Sequence, residues 1–495
     1  MAEKSIKKNY IFNLCYQLLV LFMPLIITPY ISRVLGVEGI GKYSYANSIV
    51  SYFLLMAVMG TTSYGQRAIG YTQNDKESRS RCFWEVFYLR IITSSIMLLA
   101  YGFIVFCILD NGSRVIYVIL ALNILNVMID ITWFFQGMEE FAKTVTTSIV
   151  FRILYLITIF LFVKKSSDLW IYVLIMSAQA VFANLTLWLM LPKYLCRVNG
   201  IKPFRDIKAV LQLFIPTIAT QVYVVLDKSM IGWFTDTYFE NGCYEQAEKV
   251  AKITISVITA LGPVMIPRIS RCYKEGDLES IKSYIYKSYR FIWFLGVPIM
   301  MGLFAIASVF VPLFFGEGYE KCITLIPIFS CLTVFIGLSN VTGMQYFVPT
   351  GKQNVLTMTV VIGAIINLVL NLILIPIMAS IGAAVATVAA EFGIMVAGFA
   401  YVKKKGLFDL KPVFLSSWKY WVAGAAMCAA VYAVKSVMPI TVWALATLIV
   451  FGAVAYFLIL LILRDELLIG SIKAVLSRLK KKPAEVPADE NADNN

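Results

Sequence analysis

Asp227 and Lys228 stand side by side in a run, 211 to 234, that is otherwise mostly apolar. A charge at the centre of a bilayer costs about 2.5 to 3.5 kcal/mol on insertion scales, so charges deep in such runs face water, a partner or a cargo. Thr217, Gln221 and Lys228 recur at helical spacing, and Thr220 with Asp227 occupies the adjoining flank. On a helix they make one polar wedge of roughly 120°. Neighbouring residues point about 100° apart, so Asp227 cannot neutralise Lys228 on one face. Two uses stay open for the pair: lining a wet cavity, or an interhelical ion pair that fixes packing.

The next run opens with Glu245, Glu248, Lys249 and Lys252, whose Glu-to-Lys spacings of four suit pairing on one helix. A solvated helix turn accounts for the two acids as well as a function does. Lys252 lies about two turns in and is the stronger pathway candidate. Arg90 and Arg152 complete the deep cations. Asp130 and Glu391 are deep acids that could carry H+ or help hold Na+, or could each make a packing hydrogen bond in the protonated form. Gln345 clusters with Asn340 and Thr342, and Asn367 and Asn371 are four apart, a spacing that serves helix-to-helix hydrogen bonds as readily as a cargo.

Several chemistries are disfavoured. The chain has no histidine, which removes the side chain most used for proton shuttling near neutral pH, and its nine cysteines are scattered without CxxC spacing. No metal site, cofactor or catalytic residue is expected, since a nucleotide-binding glycine loop, a nucleophile elbow and HExxH are all missing from the sequence.

The elements that must position these residues are membrane helices. Of 495 residues, 60% are hydrophobic and 15% charged, where soluble domains carry roughly a quarter charged. Apolar runs of about 20 residues, enough to span a bilayer as helix, recur about fourteen times between residues 10 and 463, among them 10–32, 43–64 and 244–267. Roughly 30 of the 43 basic residues fall in segments that lie on one side if both termini are cytoplasmic, which sets the orientation and explains the net charge of +14 without nucleic acid. The basic loops would touch anionic membrane lipids.

Two long basic loops divide the chain. An N-terminal six-helix lobe is expected over 1–195 and a second over 205–405. An additional helix pair follows over 412–465, and a cytoplasmic, largely disordered tail over 466–495. Arg33, Gly36, Tyr45 and Ala46 echo Lys228, Gly232, Tyr244 and Ala247, as parallel repeats would.

The strings TPYISRVLGVEGIGKYSYANSIVSYF from Thr28, WFFQGMEEF from Trp133, LDKSMIG from Leu226, YEQAEKV from Tyr244, VMIPRIS from Val264 and VPTGKQ from Val348 resemble those of the polysaccharide transporter family. These are flippases for lipid-linked oligosaccharide repeat units of the O-antigen and capsule type, within the multidrug/oligosaccharidyl-lipid/polysaccharide exporter superfamily. The resemblance implies an all-α protein of the bacterial cytoplasmic membrane, with two six-helix lobes around a cationic cavity. Its implied cargo is an undecaprenyl-diphosphate-linked oligosaccharide, with polysaccharide polymerase machinery as a partner. Among the matched strings, Arg33, Asp227, Lys228, Glu245, Gln246 and Lys249 are the polar members.

Physical chemistry agrees with that cargo, because a diphosphate with several sugars cannot leave water for hydrocarbon unaided. Lys228, Lys252, Arg152 and Arg90 would meet the diphosphate, Asn and Gln side chains the sugar hydroxyls and aromatic residues the sugar faces, and Arg33, Asp227, Lys249, Gln221 and Gln345 join the candidate substrate-binding residues. Two rivals carry different expectations. A cation-coupled drug exporter of the same superfamily would have acids dominate the cavity, and a polysaccharide polymerase or ligase would have a large outer loop.

Overall fold

A computed structural model of the chain describes the backbone of residues 2–107 and 114–480, and their side chains except those of 2–18, 215–217, 219, 220, 222–224 and 474–480. Thr217 and Thr220 of the expected wedge, and the tail beyond Lys480, lie outside the described side chains. The described residues form helices and turns, with no strand among them. Eleven helical segments among them are long and apolar enough to cross a membrane.

Helix α1 (Ala2–Val58) runs without a loop through the expected joint between the first two spans. Gly36, at φ 68° and ψ 173°, bends it there. Positive φ is open to glycine at little cost, so one residue turns the chain where a loop of about ten was expected. Met59 and Gly60 then take positive φ and start α2 (Thr61–Thr72), so the second span ends several residues before its expected boundary at 64. Helix α3 (Lys76–Cys107), α4 (Arg114–Ile129), the short α5 (Thr132–Gly137), α6 (Phe141–Phe162) and α7 (Leu169–Met190) complete the first lobe. Its core packs Ile31, Tyr43 and Val50 of α1 against Tyr101, Ile124 and Tyr172.

The linker to the second lobe is strapped to the first. Glu85 on α3 binds Arg205 at 3.2 Å and the Lys202 amide at 3.3 Å, and the Arg79 guanidinium donates to the Tyr194 carbonyl at 2.6 Å. The Tyr64 hydroxyl donates to Asp206 at 2.6 Å and holds that carboxyl below its ordinary range. Gly60 lies against the Val210 carbonyl, where a Cβ would come within 2.8 Å.

Helix α8 (Ile207–Phe234) leads into α9 (Phe239–Thr259) and α10 (Gly262–Glu275). Helix α10 buries Met265, Ile269 and Cys272 and exposes Arg268, Arg271 and Lys274, the pattern of a helix lying along an interface. The expected span 244–267 is therefore α9 followed by the first turns of this separate helix. Helix α11 (Leu278–Phe314), α12 (Cys322–Asn340), α13 (Gln353–Met378) and α14 (Ser380–Lys404) follow, with Tyr244, Phe315, Phe329 and Ala383 in their core. Between α12 and α13, Val341–Phe347 winds as a π-helix.

After α15 (Lys411–Leu415), α16 (Trp418–Lys435) and α17 (Val442–Ile462) pack on α11 through Val297, Met300, Met427, Leu448 and Tyr456. The first half of the expected disordered tail is helical instead, as α18 (Glu466–Lys480). Asp465 caps it by accepting from the Leu468 amide at 3.0 Å, and Arg290 at 3.0 Å and the Tyr420 hydroxyl at 2.9 Å anchor the same carboxylate. Burial alone would raise the Asp465 carboxyl, but these donors outweigh it and hold it below the ordinary range. Leu467, Leu468, Ile469 and Ile472 give the helix an apolar face that the acidic, amide-rich remainder of the tail lacks.

Candidate functional site

Asp227 and Lys228 do diverge, and each meets its own set of partners. Lys228 Nζ lies 2.5 Å from Glu245 and 2.8 Å from Glu248, both on α9. Glu245 also pairs with Lys249 at 3.4 Å and Glu248 with Lys252 at 2.8 Å, so the expected spacing-of-four pairs form. The two acids are not a solvated turn: only 11% and 12% of their side chains are exposed. Exposure rises from 13% at Lys228 to 27% at Lys249 and 54% at Lys252. The cluster therefore carries three cations against two anions, with its most accessible cation at Lys252.

Asp227 is buried on the other side of α8, toward α13 and α14. It accepts from Asn371 at 2.6 Å, Asn367 at 3.0 Å, Thr387 at 2.5 Å and the Tyr244 hydroxyl at 2.5 Å. Four neutral donors around one carboxylate stabilise its charge without a cation. A buried carboxylate of this kind can exchange a proton as the donors around it shift.

The Lys228 cluster lies at the seam between lobes. Ser44 of α1 donates to Glu245 at 2.8 Å, and Ser229 of α8 donates to Ser48 at 3.0 Å. Gln246 donates to Ser32 Oγ at 2.8 Å, and the Tyr319 hydroxyl to the Ser32 carbonyl at 3.3 Å. Arg33 reaches across to the Leu313 carbonyl and also caps Pro29. Two glycines allow the backbones to touch. A Cβ on Gly41 would fall 1.8 Å from the Tyr238 carbonyl oxygen, and one on Gly242 would fall 2.1 Å from that of Val37. Gly232 takes the Tyr45 ring in the same way, so members of the sequence echo meet in space.

The other sequence-derived residues fall elsewhere. The Arg90 side chain is only 1% exposed and binds Asp130 at 3.1 Å, the Asp130 carbonyl at 2.8 Å and Thr62 at 2.7 Å. Asp130 also accepts from the Thr132 amide at 2.9 Å, where α4 breaks into α5. These two residues hold the first lobe together and stand away from the Lys228 cluster. Arg152 is half-buried on α6. Gln221, Asn340 and Glu391 line one cavity inside the second lobe, while Gln345 is buried behind it and donates to Asn340 at 3.3 Å. The seam serines 32, 44, 48 and 229 went unread in the sequence, although the spacing of Ser44, Ser48 and Ser51 along α1 marks a polar stripe.

The family described as polysaccharide biosynthesis protein matches residues 6–273. A protein of Escherichia coli (strain K12), named as a provisional O-antigen transporter, is 23% identical over 348 residues, 69% of this chain and 83% of that one. A Shigella dysenteriae protein of the same name is 22% identical over 355 residues, 69% of this chain and 86% of that one. Among solved structures, the lipid II flippase MurJ in an inward closed conformation superposes with a TM-score of 0.75 at 14% identity, over 92% of this chain and 99% of that one. An inward-facing multidrug resistance MATE transporter of the MOP superfamily gives 0.60 at 14% identity, over 80% and 98%. The fold is that of a MurJ-like helical membrane protein, with eleven long apolar helical segments among the described residues, and with more than half of its residues inside the family match this chain belongs to the polysaccharide biosynthesis protein family.

Proposed function

We infer that the protein flips an oligosaccharide carried on undecaprenyl diphosphate across the bacterial cytoplasmic membrane, for surface polysaccharide synthesis, by alternating access between its two lobes. The observation that carries this reading is the Lys228, Glu245, Glu248, Lys249, Lys252 cluster. It has net positive charge, sits at the seam between lobes and is most open at Lys252. A diphosphate arriving there meets Lys252 and Lys249 first. It competes with Glu245 and Glu248 for the lysines and so disturbs the acid that Ser44 holds across the seam. Binding of cargo and loosening of the seam are then one event.

Counting α1 twice at its Gly36 bend, and adding α8 and α16 to the long apolar helices, the chain crosses the membrane fourteen times with both termini cytoplasmic. The Gly36 end of the seam then faces outward. Cation coupling, by H+ or Na+, passes in this reading from Asp130, which Arg90 engages, to Asp227, a buried acid ringed by neutral donors. Asp227→Asn should abolish the dependence of transport on an ion gradient while cargo binding persists.

The test is transbilayer movement of a lipid-linked oligosaccharide in proteoliposomes. The wild type is expected to move it, and Lys252→Glu to slow it. Export of a lipophilic cation with no movement of the lipid would overturn the reading in favour of a drug exporter.

A further inference from the structure

The second lobe encloses a cavity of about 220 Å³ that the cationic cluster does not use. Its polar lining comes from four elements: Gln221 of α8, Asn340 and Thr342 at the junction of α12 with the π-helix, Thr359 of α13 and Glu391 of α14. Between them stand Phe347, Leu356, Val360 and Met395. Glu391 is itself buried, at 6% exposure, and supplies the negative charge of the lining. Part of the wall is the π-helical turn, a rare geometry that recurs at functional sites, where Gly343 lets the Leu356 side chain pack close.

Size and chemistry narrow the occupant. The volume holds about seven waters at roughly 30 Å³ each, far more than the cage of a bare monovalent cation. A carboxylate here repels a phosphate. What fits is a ring with hydroxyl edges and apolar C–H faces: a carboxylate accepts two hydroxyl protons, amides and threonines take the rest, and Phe347 and Met395 meet the face. Gln221 is exposed as well as cavity-lining, so the cavity reaches the surface beside it. Seven residues separate Gln221 from Lys228, two turns on one face of α8 or about 10 Å. That is the separation expected between a diphosphate held by the lysines and a sugar one or two units along.

We propose that this cavity is a sugar subsite, in which Glu391 and Gln221 select one pyranose residue of the cargo. The proposal rests on the flippase reading above and deepens it.

Binding of five probes to the purified protein in nanodiscs tests it. They are bare undecaprenyl diphosphate, and the same lipid carrying glucose, galactose, N-acetylglucosamine or N-acetylgalactosamine. The wild type is expected to bind at least one sugar-bearing probe about 10- to 100-fold tighter than the bare lipid, the range of a single hydrogen bond to a charged group. Glu391→Gln and Gln221→Ala should erase that difference and leave bare-lipid affinity and melting temperature unchanged, whereas Lys252→Ala should weaken all five alike. Equal wild-type affinity for all five overturns the subsite alone, as does a sugar preference that survives Glu391→Gln or a fall in bare-lipid binding equal to the fall with sugar. A wild type that binds none of the probes overturns the flippase reading and the subsite together.

Discussion

A lysine held between two carboxylates cannot be removed without consequence for both. Lys228→Ala leaves Glu245 and Glu248 buried without their shared cation, and breaking a buried pair in this way destabilises by about 3 to 5 kcal/mol. The melting temperature in detergent is expected to drop, Lys228→Arg to keep most of it, and Lys228→Ala with Glu245→Gln and Glu248→Gln to recover it. A single Lys228→Ala variant that melts like the wild type would show that the cluster is not a stabilising one. At this scale the sequence was informative about directions and silent about partners. That Asp227 and Lys228 point apart follows from helix geometry. That the partners of Asp227 are Asn367 and Asn371, some 140 residues on, depends on how α13 lies against α8, which no local spacing encodes. Arg90 and Asp130 were read as separate deep charges for the same reason, and only the packing of α3 beside the α4 break unites them.

Helices meet where side chains allow it, and α1 and α9 approach at two glycines. Gly41→Val would drive a branched side chain into the Tyr238 carbonyl, a backbone atom that cannot swing away. The closed seam should then be disfavoured. Cross-linking between cysteines introduced at Ser32 and Gln246 is expected to fall severalfold in the Gly41→Val background, and an unchanged yield would detach the seam from these glycines. A second consequence concerns Asp465, whose carboxyl is held below the ordinary value of about 3.9. A depressed carboxyl contributes stability that is complete above its unfolded value and is lost as pH falls through its folded value. The protection of α18 amides, taken relative to their intrinsic exchange rate at each pH, should therefore be insensitive to pH near neutrality and fall only under acid conditions below about pH 4, with Asp465→Asn poorly protected throughout. Most helices were legible from apolar runs of the right length. The exceptions have physical causes: Gly36 bends a helix where a loop was expected, α2 and α10 are amphipathic helices appended to longer apolar ones, and a π-turn has no signature in a single sequence.

For the molecule as a whole, hydropathy sets the helical architecture, since it reports directly on the solvent each segment must meet, and the placement of lysine and arginine carries the proposed orientation. The proposed orientation predicts that a cysteine at Asn199, in a cysteine-free background, is shielded from an impermeant reagent applied to intact cells and reacts once the membrane is opened. Reaction in intact cells would invert the topology. What hydropathy could not convey is how the lobes are joined. Glu85, Arg205, Tyr64 and Asp206 fasten the linker to the first lobe up to the residue before α8 begins. The start of α8 thus acts as the fulcrum of a lever whose arm is the helix itself. Its 28 residues reach about 42 Å, so a tilt of about 15°, the size of a rigid-body rotation in other allosteric proteins, swings the far end by about 11 Å. Opening at the Gly36 end needs only the seam contacts to part. Opening at the fulcrum end would have to unfasten the strap as well, so in the proposed alternating-access cycle the two halves face unequal barriers.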